Sequence, residues 1–130
     1  MSHYSAVLMD HFSSPRNMGQ MDLPDAVGVV GAPGAGPYME LCLRLDGRRV
    51  VAASFQTFGC GPAIAAGSLL TTLIIGRSVE ECLELTPEQL VEALGGLPPE
   101  KLFCAVLAID ALRDGLVAGQ GEDVLRRAGG

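Results

Sequence analysis

Two cysteines, Cys60 and Cys104, stand where a sulfur can do chemistry. Each falls at or just inside an expected helix N-terminus, where free N–H groups and the helix dipole favour an anion. Thiolates are what nucleophiles and metal ligands require, and such positions are expected to lower a cysteine pKa. Gly59 and Gly61 flank Cys60, so the backbone can turn sharply there and leave the sulfur approachable. The plainer alternative for both is a small buried hydrophobe. Cys42, alternating with Glu40 and Arg44, and Cys82, among acids in a short helix, read as structural.

Other chemistry finds little support. Neither His3 nor His11 has a sequence-adjacent nucleophile, so no hydrolase triad is expected and the chain reads as a non-enzyme. His11 closes the first helix, where an imidazolium would complement the dipole. Glu80 and Glu81 occupy the first turn of a helix, a capping position rather than an acid–base pair. The glycine-rich loop around Gly34 and Gly36 lacks the spacing of a phosphate-binding fingerprint and leads into a strand, which argues against a nucleotide site.

The elements that must position these residues divide along the chain. A short helix over Ser5–Phe12 stops at Ser13-Ser14-Pro15. An uncharged stretch from Ala26 reads as an edge strand running into the loop 31–37. From Tyr38 to Asp46 the residues alternate: Met39, Leu41, Leu43 and Leu45 face one way, while Glu40, Cys42, Arg44 and Asp46 face a wetter side. Asp46-Gly47 supplies a hairpin turn to a return strand over Val50–Phe58. Pro62 starts a helix that reaches about Ile75, and two capping boxes open short helices after Ser78 and Thr86. Leu97-Pro98-Pro99 then leads into a helix with a broad apolar face that includes Phe103, Val106, Leu107 and Leu112. A separate final turn is expected over Glu122–Ala128. Strands first and helices afterwards imply an α+β fold, a small three-stranded antiparallel sheet with several helices packed on one face. Residues 1–130 read as a single domain.

Composition narrows the function. Nine basic residues against fifteen acidic ones leave a net charge of −6, so no basic patch exists to bind nucleic acid or an anionic membrane. Lysine occurs once, as Lys101, and tryptophan is absent. The uncharged run from Val50 to Gly76 is split by Gly59-Cys60-Gly61-Pro62 into halves too short to span a membrane. The first residues do not form a secretory signal. A cytoplasmic location with reduced thiols is therefore expected.

Four blocks of sequence resemble the iron–sulfur cluster assembly scaffolds of the IscU/NifU N-terminal type. They are Tyr4-Ser5 with the run from Asp10 to Gly19, then Val30-Gly31-Ala32-Pro33, then Phe55 to Ala65, and finally Leu97 to Cys104. Their order and spacing hold from residue 4 to about residue 116. The resemblance implies a cluster site built from three cysteines, an Asp two residues after the first, and a His just before the third. Carried over by position, the second and third cysteines fall on Cys60 and Cys104. The first falls on Ala35, the Asp on Pro37 and the His on Phe103. Alanine, proline and phenylalanine side chains cannot coordinate a metal.

The resemblance therefore implies a divergent scaffold or carrier that binds a [2Fe–2S] cluster, iron or zinc through Cys60 and Cys104. A cluster or a structural zinc takes four ligands, so a homodimer sharing its site between subunits is one expectation. The resemblance also implies a cysteine desulfurase and an Hsp70-type chaperone as partners, the latter docking on Leu97, Pro98, Pro99 and Lys101. Two alternatives stand beside it. One is an interaction protein that keeps these partners without binding a cluster. The other is a thiol/disulfide redox protein using Cys60 and Cys104.

Overall fold

In a computed structural model, which describes residues 4–129, β1 (Ala26–Val30), β2 (Tyr38–Asp46) and β3 (Arg49–Phe58) form an antiparallel sheet in the order β1-β2-β3. Around it lie α1 (Ala6–Ser13), α2 (Gly61–Ile74), α3 (Val79–Leu83), α4 (Pro87–Ala93) and α5 (Leu102–Gly129). A 3₁₀ turn, Pro99–Lys101, leads into α5. The α+β arrangement expected from the order of patterns is the one observed. His3 lies outside the described residues.

The alternation in β2 decides which face of the sheet is covered. Met39, Leu41 and Leu43 are fully buried under α5 and α2, joined by Phe55 from β3. The opposite face is less wet than the pattern suggests. Cys42 and Tyr38 there are buried, because the second face is partly closed by its own side chains: Tyr38 stacks on Phe58 with centroids 5.5 Å apart, and the Tyr38 hydroxyl donates to Glu40 at 3.0 Å.

Two glycines let helices approach the sheet closely. At Gly28 a Cβ would stand 1.8 Å from the Ala111 carbonyl oxygen, with Gly115 of α5 just beyond. At Gly67 of α2 a Cβ would stand 2.4 Å from the Phe55 ring. Helix α5 thus lies directly on the edge strand, and the Asp114 carboxylate accepts from the Val29 N–H at 2.9 Å, capping an edge donor that would otherwise invite another strand. The opposite edge is covered by residues 17–19, with Phe55 N–H donating to Asn17 O at 3.0 Å and Gly19 N–H to Phe55 O at 2.8 Å.

Local signals explain the helix ends. Ser5 caps α1 by accepting from Leu8 N–H at 3.0 Å. Ser78 with Glu81, and Thr86 with Gln89, close full capping boxes at α3 and α4, so Glu81 caps, while its neighbour Glu80 pairs with Arg48 at the surface. The expected break before Glu122 is absent. Residues 122–128 continue α5, because the glycines at 115, 119 and 121 lower helix propensity without supplying a proline stop.

The segment after α1 is clamped to α2 by polar side chains. Ser68 Oγ accepts from Arg16 N–H at 2.8 Å and sits 2.7 Å from His11 Nδ1, while Asn17 Nδ2 donates to Thr71 Oγ1 at 3.0 Å. His11 is accordingly not the imidazolium that its helix-end position suggests. It is buried, and burial first, then the Arg16 guanidinium, hold its pKa below the ordinary 6.5.

Two outcomes follow. Gly28→Ala is expected to destabilise the fold by about 3 kcal/mol, read as a drop in Tm by circular dichroism; an unchanged Tm would mean that α5 does not lie on β1 as described. Below pH 6.5 the unfolded chain takes up a proton on His11 that the folded chain resists, so stability falls as pH drops. The urea midpoint should fall more steeply from pH 7 to pH 5 in the wild type than in His11→Gln.

Candidate functional site

The N-terminal ends of α2 and α5 meet at one corner of the sheet. Cys60 is the N-cap of α2, with an extended backbone and its carbonyl accepting from Ala63 and Ile64. Its side chain is half-buried and makes no capping hydrogen bond. Cys104 lies in the first turn of α5 and is completely buried. Their sulfurs are 3.6 Å apart, although 44 residues separate them in the chain. Neither is bonded in a disulfide.

Cys60 forms a wall common to two clefts of about 290 Å³ each. One is lined by Pro37, Phe58, Lys101, Phe103 and Leu107. The other lies against α1 and is lined by Tyr4, Leu8, Met9, Phe12 and Pro62. Both are apolar apart from the thiol and the Lys101 ammonium, whose Nζ stands 5.9 Å over the Phe103 ring.

Three of the five positions singled out by resemblance therefore surround the first cleft or the thiol in it: Cys60, Pro37 and Phe103, with Cys104 directly beneath. Ala35 does not line the cleft. It sits exposed in the loop between β1 and β2, its N–H donating to Ala32 O at 3.1 Å. The neck of that loop is tight: Gly31, at φ +81°, leaves no room for a Cβ, which would stand 2.0 Å from the Pro37 carbonyl oxygen. Leu97 packs against the core, Pro98 is extended, and Pro99 is exposed at the start of the 3₁₀ turn.

Burial overturns one expectation about the thiols. The helix N-terminus was expected to depress the pKa of Cys104, but loss of solvent pushes it up to about 12, aided by the contact with Cys60 and opposed by Lys101. Desolvation of a thiolate outweighs the helix dipole when the sulfur has no exposed surface. Cys82 is likewise buried and pushed up to about 11, and burial raises Cys42 as well, with Glu40 3.6 Å from its sulfur. Both occupy the structural positions expected of them.

Phe58, Leu107 and Phe12 belong to the site and were not singled out from sequence. Phe58 ends β3 on the face opposite Phe55, so the strand alternation two residues before Cys60 already carried the signal. Phe12 rests against Gly61, where a Cβ would come within 3.1 Å of its ring. That contact has no local signal.

The site is thus a pair of touching thiols at one corner of a three-stranded α+β scaffold. Residues 3–123 match the model of the NifU-like N terminal domain, and the chain belongs to that family. It is 44% identical over 114 residues to the iron–sulfur cluster assembly scaffold protein IscU 1 of Archaeoglobus fulgidus, covering 88% of this chain and 74% of that protein. It is 41% identical to the IscU scaffold of Haemophilus influenzae, covering 85% and 90%. The fold is similar to that of FiSufU, a SUF-system protein of Fervidobacterium islandicum, with a TM-score of 0.69 at 19% identity, covering 87% and 96%.

Among the described residues no three His, Cys, Asp or Glu side chains form a group able to hold a metal ion, and no helix is long and apolar enough to cross a membrane. The sulfur donors of the corner number two.

Because Cys60 alone combines exposure with an open cleft, alkylation of the native protein at pH 8 is expected to label it first. The other three thiols should react at least about tenfold more slowly until denaturant is added. Peptide mapping by mass spectrometry checks this, and equal labelling of Cys104 would contradict its burial.

Proposed function

We propose that this chain is a divergent iron–sulfur cluster assembly scaffold or carrier whose cargo, a [2Fe–2S] cluster or an iron or zinc ion, is held by Cys60 and Cys104. The observation that carries this reading is the 3.6 Å separation of the two sulfurs. Two thiolates on one tetrahedral ion with metal–sulfur bonds of about 2.3 Å lie about 3.8 Å apart. The pair is thus already spaced as a two-toothed ligand. The names of the IscU relatives support the same cargo.

One chain offers two donors, since Ala35, Pro37 and Phe103 have no coordinating side chains. Two chains related by a twofold axis would supply four, so the site is read as shared between subunits. The rim suits such a contact: Phe58, Phe103 and Leu102 expose 61%, 43% and 43% of their surface beside the cleft. Covering it would also shield the cargo from water. Because Cys104 holds its proton tightly, taking up a metal must expel that proton, and uptake strengthens as pH rises. No catalytic step is assigned to the protein.

A cysteine desulfurase as sulfur source and an Hsp70-type chaperone as release partner belong to this reading, with the chaperone docking at Leu97, Pro98, Pro99 and Lys101. The extended Pro98 ahead of the exposed Pro99 presents a stiff apolar segment suited to such docking. A cytoplasmic site of action accords with the thiols being reduced. The absence of the family's first cysteine and its Asp, replaced by Ala35 and Pro37, favours a second reading, a docking protein without cargo.

Anaerobic reconstitution with ferrous iron and sulfide separates the two. The scaffold reading expects visible absorbance, equal iron and acid-labile sulfide, and a dimeric mass in solution, all lost in Cys60→Ala. A fully reduced protein that stays colourless and iron-free would overturn it. Desulfurase and chaperone binding that survives Cys60→Ala and Cys104→Ala would then support the docking protein.

A further inference from the structure

The same two sulfurs are placed for a second reaction. We propose that Cys60 and Cys104 form a thiol–disulfide exchange site that closes reversibly within one chain and, when closed, excludes cargo. The proposal rests on the scaffold reading for its consequence, and on the geometry of the corner for its chemistry.

Three observations carry it. The sulfurs stand 3.6 Å apart, in contact with each other. A disulfide has an S–S distance of about 2.05 Å, so closure needs an approach of about 1.5 Å. The two thiols also differ in access. Cys60 borders two clefts of about 290 Å³ each, whereas Cys104 is sealed beneath it. Finally, neither remaining thiol competes: Cys42 is on the outer face of the sheet beside Glu40, and Cys82 is buried within α3 facing the Ile74 carbonyl.

This asymmetry sets the order of steps, with a low-molecular-weight disulfide as the oxidant. The Cys60 thiolate attacks one sulfur of the oxidant, forming a mixed disulfide and releasing the first small thiolate. Cys104 then passes its proton to the leaving small thiolate as its sulfur attacks Cys60 Sγ, releasing the second small thiol and forming the Cys60–Cys104 bond. The two protein thiols lose two electrons to the oxidant, and their two protons end on the two released thiols. Excess small thiol reverses both steps. The closed pair has no thiolate left to donate to iron or zinc, so oxidation and cargo loading compete for the same sulfurs.

The test uses the metal-free full chain incubated with oxidised glutathione, followed by thiol titration, intact mass under denaturing conditions and peptide mapping. Free thiols should fall from four to two, the chain should lose the mass of two hydrogens without an adduct, and the linked peptides should be those of Cys60 and Cys104. Cys104→Ala should stop at a glutathione adduct on Cys60, and Cys60→Ala should keep its thiols. Cys42→Ser with Cys82→Ser should close as the wild type does. Four remaining thiols, a persistent adduct on the unsubstituted chain, or a bond between two chains would overturn the proposal. Reconstitution with iron and sulfide then keeps the two readings apart. Closed protein should load at least tenfold less iron than the same sample reopened with dithiothreitol. Equal loading would overturn the switch, whereas a reduced sample that never loads would overturn the scaffold reading and leave the exchange chemistry standing on its thiol count.

Discussion

The contact between helix α5 and strand β1, backbone on backbone, governs the arrangement of this molecule. Gly28 has no space for even a methyl group against Ala111 and Gly115. Bringing a helix this close to an edge strand lets Asp114 reach the Val29 N–H, closes that edge and drives Ala108, Leu112 and Leu116 into the core. It also sets where α5 begins. From Gly115 back to Cys104 is three turns, about 16 Å of rigid helix, so the seat at Gly28 fixes the position of the Cys104 sulfur. Gly67 seats α2 differently, against the Phe55 side-chain ring rather than strand backbone. The two cysteines meet because both helices that bear them are held close to one sheet.

That meeting point is dry, and dryness decides its electrostatics. A helix N-terminus offers an anion a modest stabilisation, of the order of 1 kcal/mol. Burying a thiolate costs more, and Cys104, with no exposed surface, keeps its proton. Pro37 and Phe103 present carbon to the neighbouring cleft, at the positions where the resemblance implies an Asp and a His. Lys101 is the one charged side chain lining that cleft among the described residues, held over the Phe103 ring.

Polar residues elsewhere serve the same geometry. The His11 and Asn17 side chains and the Arg16 backbone N–H engage Ser68 and Thr71 as a clamp between the N-terminal segment and α2. The clamp holds α1 beside Cys60 and so builds the second cleft, with Phe12 against Gly61.

The sequence by itself determined the class of fold, because its signals are local. Strand alternation from Met39 to Leu43, the Asp46-Gly47 turn, the capping boxes at Ser78 and Thr86, and Pro62 at the head of α2 each act within a few residues. It also placed two thiols, Cys60 and Cys104, at the positions the resemblance implies, with carbon at Ala35, Pro37 and Phe103. Only the tertiary structure decided that these sulfurs touch, that Cys104 is sealed and its pKa raised, that burial lowers the pKa of His11, and that Phe58 and Phe12 border the site. Each of those depends on solvent exclusion between segments far apart in the chain. Periodicity marks which side of an element is buried, but not which distant side chain lies against it, and proton affinity follows the second.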